Sequence, residues 1–146
     1  MKRAADWELR FEPAETEDIR MIFSLSKALI DQYEDVDSID YEKVIGWVKR
    51  KLEKNIASYT RVMAGGKLAG WYCLDREPGE LDDLYILPEH REMGLGTAVI
   101  KKCIAECEKP LWLYVFKKNV RAISLYRRMG FVIREEVGKT RYIMGR

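Results

Sequence analysis

The chain has 146 residues, 47% of them hydrophobic and 34% charged, with a formal net charge of +2. That length predicts one domain, over residues 7–146, with enough apolar content for a packed core. The near-balanced charge argues against a nucleic-acid binder that works by bulk electrostatics, and no apolar stretch is long enough for a membrane-spanning helix.

An early Lys2-Arg3 pair has no apolar segment behind it, so the start does not read as a secretory leader. Three cysteines, an odd count, point to free thiols and a reducing, cytoplasmic setting. Residues 9–12 alternate and stop at Pro13, as a short strand does. Thr16 or Asp18 can cap a helix whose apolar positions Ile19, Ile22, Phe23, Leu25, Leu29 and Ile30 recur at helical spacing. A second amphipathic helix is predicted over 41–54. Between the two, residues 31–42 carry six acidic side chains and no basic one.

The period then changes to two. Strands are predicted over 58–64 and 68–74, joined at Gly65-Gly66, and over 81–87 after a turn at Pro78-Gly79. Pro88 closes the third of these. A helix is predicted over 94–108, with Cys103 and Cys107 on its core stripe. Residues 111–116, LWLYVF, read as a strand buried on both faces. A short helix over 119–129 ends at Gly130, and two last strands follow over 131–136 and 140–144. Residues 117–128 hold five basic side chains and no acidic one. The total is α+β: about seven strands in a mixed, mostly antiparallel sheet, with about four helices. The strand–helix–strand step from 81 to 116 predicts a right-handed parallel crossover.

Gly94 and Gly96 stand where the third helix must begin, although glycine costs a helix about 0.5–1 kcal/mol relative to alanine. A helix start presents unpaired amides and partial positive charge, which an anion satisfies. Glycine lets backbone approach phosphate oxygens, and Arg91 adds a cation. A phosphate-bearing ligand over residues 92–97 is one reading and a plain tight turn the other. Neither a Walker loop nor a dinucleotide fingerprint fits, since Val99 occupies the third glycine position of the latter.

The stretch LYILPEHREMGLGTAVIKKCI resembles motif A of the GCN5-related N-acetyltransferases, R/Q-x-x-G-x-G/A, with Arg91, Gly94 and Gly96 in register. NVRAISLYRRMGF is similar to motif B of the same superfamily, through Asn119, Ala122, Tyr126, Gly130 and Phe131. The resemblance covers residues from about 9 to the end. It implies central parallel strands splayed to hold acetyl-CoA as co-substrate. The pantetheine arm would pair with Leu84, Tyr85 and Ile86. The diphosphate would lie on Glu92, Met93, Gly94, Leu95, Gly96 and Thr97, with Arg91 and Asn119 as further cofactor contacts. It implies acetyl transfer to a primary amine by direct attack in a ternary complex, with Tyr126 as the thiolate's acid. Glu80 stands where several members carry a catalytic glutamate. By strand alternation Asp82 shares its face and Asp83 points the other way. These carboxylates either take the amine's proton, directly or through water, or attract its ammonium group; a plain polar strand end is the other reading.

The acidic run at 31–42 suggests a cationic acceptor, either a small molecule or a peptide amine. No metal, nucleic acid or membrane partner is expected, and family members are often homodimers. The alternative to an enzyme is a non-catalytic CoA-binding sensor of the same fold. His90 reads as an exposed loop residue.

Overall fold

A computed structural model describes residues 8–146; residue 7, where the sequence places the start of the domain, lies outside them. The strands are β1 (Leu9–Pro13), β2 (Tyr59–Ala64), β3 (Lys67–Asp75), β4 (Glu80–Ile86), β5 (Trp112–Phe116), β6 (Val132–Val137) and β7 (Arg141–Gly145). The helices are α1 (Ile19–Tyr33), α2 (Tyr41–Asn55), α3 (Leu95–Glu106) and α4 (Val120–Arg128). Every strand and helix the sequence predicts is present, with ends displaced by only a few residues.

One sheet runs in the order β1-β2-β3-β4-β5-β7-β6. All neighbours are antiparallel except β4 and β5, which are parallel and bridge only at Glu80 opposite Trp112. Strand alternation divides the apolar side chains between two layers. On one side α3 and α4 pack over Val62, Tyr72, Leu81, Leu113 and Met144, with Val99, Ile100 and Cys103 entering from α3. On the other, Ile22 and Ile30 of α1 and Val48 and Leu52 of α2 cover Tyr59, Trp71, Cys73 and Tyr85.

The first helix is anchored through its lead-in. Residues Thr16–Asp18 form a 3-10 turn in which the Asp18 carboxylate accepts from the Glu15 amide at 2.7 Å. Asp18 is 5% exposed and receives Arg61 Nε of β2 at 2.7 Å, so its charge is compensated inside. Arg61 also reaches Glu12 and Glu17.

Two sequence expectations are corrected. In β5 only Leu113 and Val115 are fully buried, whereas Tyr114, on the alternate face, is 44% exposed. His90 is buried rather than exposed. It ends a 3-10 turn, Pro88–His90, and its amide donates to Leu87 O at 2.9 Å, so the chain curls inward.

Candidate active site

The two parallel strands start together and part. Trp112 N donates to Gly79 O at 2.9 Å, and Glu80 opposite Trp112 is the single register pair. Beyond it each strand turns an edge toward the other across an open split. In the ladder with β3, the Leu87 amide donates to Ala69 O at 2.8 Å. Hydrogen-bonded and non-hydrogen-bonded pairs alternate along an antiparallel ladder. Leu84 and Ile86, opposite Tyr72 and Gly70, therefore turn their backbone groups to the split, while Tyr85 turns its own to β3. Tyr85 O lies so close to Gly70 that a Cβ there would stand 2.0 Å from it. Of the three residues predicted to pair with pantetheine, two offer their backbone to the split and the third offers its ring to the opposite layer. Arg91 Nε donates to Ile86 O at 3.1 Å, which ties the loop to the end of β4.

That loop is wound through left-handed backbone. Glu92 has φ 65°, a rare value for a residue with a Cβ, and Gly94 has φ 83° at the N-cap of α3. Helices α2 and α4 are capped by side chains: Asp40 accepts from Lys43 N, and Asn119 Oδ1 accepts from Ala122 N at 3.3 Å. Gly94 has no side chain to do this, so the Leu95, Gly96 and Thr97 amides at the start of α3 have no side-chain acceptor. This donor set fits a diphosphate. Gly96 has a packing constraint as well: a Cβ there would lie 3.0 Å from Leu125 Cδ2, so this glycine lets α3 lie close to α4. Met93 packs beside Leu95 in a small core with Ala64 and Ala69.

Asn119 is the cap of α4, which leaves its amide nitrogen for another partner. Tyr126, two turns on, packs against Phe131 with ring centroids 5.6 Å apart. Its phenol is held well above the usual range by burial and by the negative charge of Asp83. It stays protonated throughout the physiological range.

The carboxylates of β4 are arranged by a bulge. Leu74 pairs with Leu81 and Cys73 with Asp83, so Asp82 is an extra residue. In a regular strand Leu81 and Tyr85 would share a face; here Leu81 joins the α3 layer and Tyr85 the α1 and α2 layer. The expectation that Asp83 points away from Glu80 and Asp82 is therefore overturned. Asp83 lies on the α2 side, where Tyr59 OH donates to Oδ2 and Tyr85 OH to Oδ1, the latter at 2.9 Å. Asp82 pairs with Lys51 of α2 at 3.0 Å, and Lys51 lies over the Trp47 ring at 5.3 Å. Burial and the charge of Asp82 push the Asp83 carboxyl up to about 6, against the opposing pull of its hydroxyl donors and Lys51. Burial and Asp82 also raise Glu80. Burial lifts Tyr59 well above its usual value, with Asp83 adding to the effect, so Tyr59 stays protonated.

Sequence reasoning named Asp83 among the carboxylates but put it on the wrong face, and it did not single out Tyr59 or Lys51. The available signal was two consecutive acids, Asp82-Asp83, between Leu81 and Leu84, a pattern that breaks alternation and marks a bulge.

The arrangement is a cradle of backbone donors beside an open strand edge, flanked by the half-buried Tyr126 and a group of carboxylates. A profile of the Acetyltransferase (GNAT) family matches residues 19–131, and the chain belongs to this family. The family is named for acetyl transfer.

Among sequence relatives, the chain is 32% identical over 82 residues to the streptothricin acetyltransferase of Streptomyces lavendulae, covering 51% of this chain and 43% of that one. It is 38% identical over 55 residues to the ribosomal protein bS18-alanine N-acetyltransferase of Escherichia coli K12, covering 35% and 37%. An N-acetyltransferase of Methanocaldococcus jannaschii matches at 37% over 68 residues, 42% of this chain and 29% of the relative. The matched stretches thus span under half of these relatives. In fold, the chain is similar to the PaiA N-acetyltransferase of Thermoplasma acidophilum, solved with coenzyme A. That likeness has TM-score 0.68 and 20% identity, over 95% of this chain and 98% of the other. No helix among the described residues is long and apolar enough to cross a membrane.

Proposed function

We propose that the protein is an N-acetyltransferase that moves the acetyl group of acetyl-CoA to a primary amine by direct attack in a ternary complex. The observation that carries this reading is the bulge at Asp82. It gathers Glu80, Asp82 and Asp83 beside the split between β4 and β5, with Tyr126 electrostatically coupled from α4.

Each residue's task follows from its place. Leu84 and Ile86 offer backbone groups to an extended pantetheine arm. The amides from Glu92 to Thr97 receive the diphosphate, Arg91 braces the loop, and Asn119 contributes its free amide nitrogen. Glu80 and Asp82 draw an ammonium group toward the thioester. Tyr126 protonates the departing sulfur, a role that suits a phenol kept protonated by burial.

A cationic acceptor is supported by the connection between α1 and α2. It carries Glu34, Asp35 and Asp37, and an open depression of about 400 Å³ there is lined by Asp31, Val36, Asp37 and Tyr41. Relatives whose names specify an acceptor act on amines: streptothricin, the alanine of a ribosomal protein and, for a structural neighbour from Vibrio cholerae, spermidine.

The test is thiol release from acetyl-CoA with a panel of spermidine, an aminoglycoside, a lysine peptide and an alanyl peptide. Amine-dependent release is expected, with an acceptor KM that rises when Glu34, Asp35 and Asp37 are changed to their amides. Tight acetyl-CoA binding without turnover of any amine would replace the enzyme reading by a CoA-binding sensor. An unchanged KM would remove the acidic rim from the account.

A further inference from the structure

We propose that Asp83 is the group that takes the acceptor's proton, held for this by the hydroxyls of Tyr59 and Tyr85; the inference rests on the amine-acetyltransferase reading above. Asp83 stands three residues past Glu80, where β4 has already parted from β5. Both carboxylate oxygens are fixed. Tyr59 OH of β2 donates to one, and Tyr85 OH to the other at 2.9 Å. A hydroxyl from β2 and one from β4 itself therefore hold the carboxylate in one orientation.

Its partners show what it is for. A structural carboxylate in such a place is ordinarily paired with a cation. Lys51 is instead paired with Asp82 and acts on Asp83 through its field alone; among the described residues, the groups hydrogen-bonded to Asp83 are neutral hydroxyls. Its charge is oriented and has no ion-pair partner of its own among the described residues. The carboxyl, lifted to about 6, is ionised at neutral pH and basic enough to accept a proton. Tyr126 packs in the opposite layer and senses the same charge, so donor and acceptor of protons bracket the strand split.

The protons balance. The acceptor enters as an ammonium ion and gives one proton to Asp83, which later passes it to solvent. The freed nitrogen forms the C–N bond to the acetyl carbon, and the C–S bond breaks. Tyr126 gives its proton to the sulfur and regains one from the second N–H. The products are an amide, the thiol of CoA and one proton released.

The titratable groups electrostatically linked to Asp83 are Glu80, Asp82 and Tyr85 on β4, Tyr59 on β2, Cys73 on β3, Lys51 on α2 and Tyr126 on α4; of these, Asp82, Tyr59, Tyr85 and Lys51 shift Asp83 itself. The hydroxyls of Tyr59 and Tyr85 lower it, so their loss raises it.

The experiment measures kcat and kcat/KM against pH for wild type, Asp83→Asn, Glu80→Gln and Tyr85→Phe, with spermidine and a lysine peptide as acceptors, and acetyl-CoA affinity by calorimetry. Asp83→Asn is expected to lose about 100-fold or more in kcat and the acidic limb of the profile, with acetyl-CoA affinity within about three-fold of wild type. Tyr85→Phe, which conserves the packing ring, is expected to move that limb to higher pH; Glu80→Gln is expected to leave its position within about half a unit. Wild-type turnover combined with an active Asp83→Asn, or with a limb that Tyr85→Phe leaves in place and Glu80→Gln abolishes, overturns the inference alone. Acetyl-CoA binding by wild type without turnover of either amine overturns the function reading, and this inference with it.

Discussion

Gly94 and Gly96 are two residues apart and answer to different physics. Gly94 holds φ 83°, where an L side chain meets its own carbonyl. Gly94→Ala is therefore expected to cost about 1–2 kcal/mol in chemical denaturation. Gly96 has helical backbone, and its constraint is Leu125 Cδ2 at 3.0 Å from a built Cβ. That neighbour is the end of a flexible side chain, and alanine gains up to about 1 kcal/mol of helix propensity over glycine. Gly96→Ala is thus expected to be close to neutral and to keep acetyl-CoA affinity, while Gly96→Leu, which drives a branched side chain into α4, is expected to destabilise. A large loss of acetyl-CoA affinity in a well-folded Gly96→Ala protein would mean that the diphosphate, not Leu125, sets the need for glycine here. The sequence motif marked both positions but could not separate their reasons, because Leu125 is remote in the chain and near only after α3 meets α4.

At the scale of elements, the helices were legible because Ile19, Ile22 and Ile30, or Val44, Val48 and Leu52, recur at helical spacing, and the strands because Pro13, Gly65-Gly66, Pro78-Gly79 and Pro88 bound them. The faces of β4 were not legible. One extra residue at Asp82 reverses the parity of everything after it, and a bulge is fixed by its partner strand, here at Cys73 and Leu74. His90 was misjudged for a related reason: the 3-10 turn that buries it depends on a contact with Leu87. The bulge has a measurable consequence. The Asp83 carboxyl titrates near 6 in the fold against an ordinary value of 3.8. Between those values the folded state binds more protons than the unfolded state, so this group's contribution to stability falls as pH rises from about 4 to about 6. The Asp83→Asn protein is expected to show a flatter stability profile across that window. An identical slope in both proteins would mean that Asp83 titrates normally.

At the scale of the molecule, two layers of helices are fixed to one sheet, and inside that sheet, among the described residues, neighbouring strands part where β4 leaves β5. The order of elements was readable from the changes of period along the chain, and the crossover from 81 to 116 made the parallel pair predictable. That this pair would splay apart was implied by family resemblance and not by any local pattern; that it bridges at Glu80 and Trp112 alone is seen only in the fold. The lead-in to α1 is tied to β2 by one guanidinium, that of Arg61. Arg61→Met would leave the Asp18 carboxylate buried without its partner, and a loss of about 3–5 kcal/mol is expected in denaturant unfolding. A change below about 1 kcal/mol would show that Asp18 finds water instead. The measurement that bears most directly on the central claim is amide hydrogen exchange with and without acetyl-CoA. Slowed exchange at Leu84 and Ile86 together with residues 92–97 is predicted, with the amides of β6 unaffected. Binding that protects other segments, or no binding, would contradict a site built on the strand split and the start of α3.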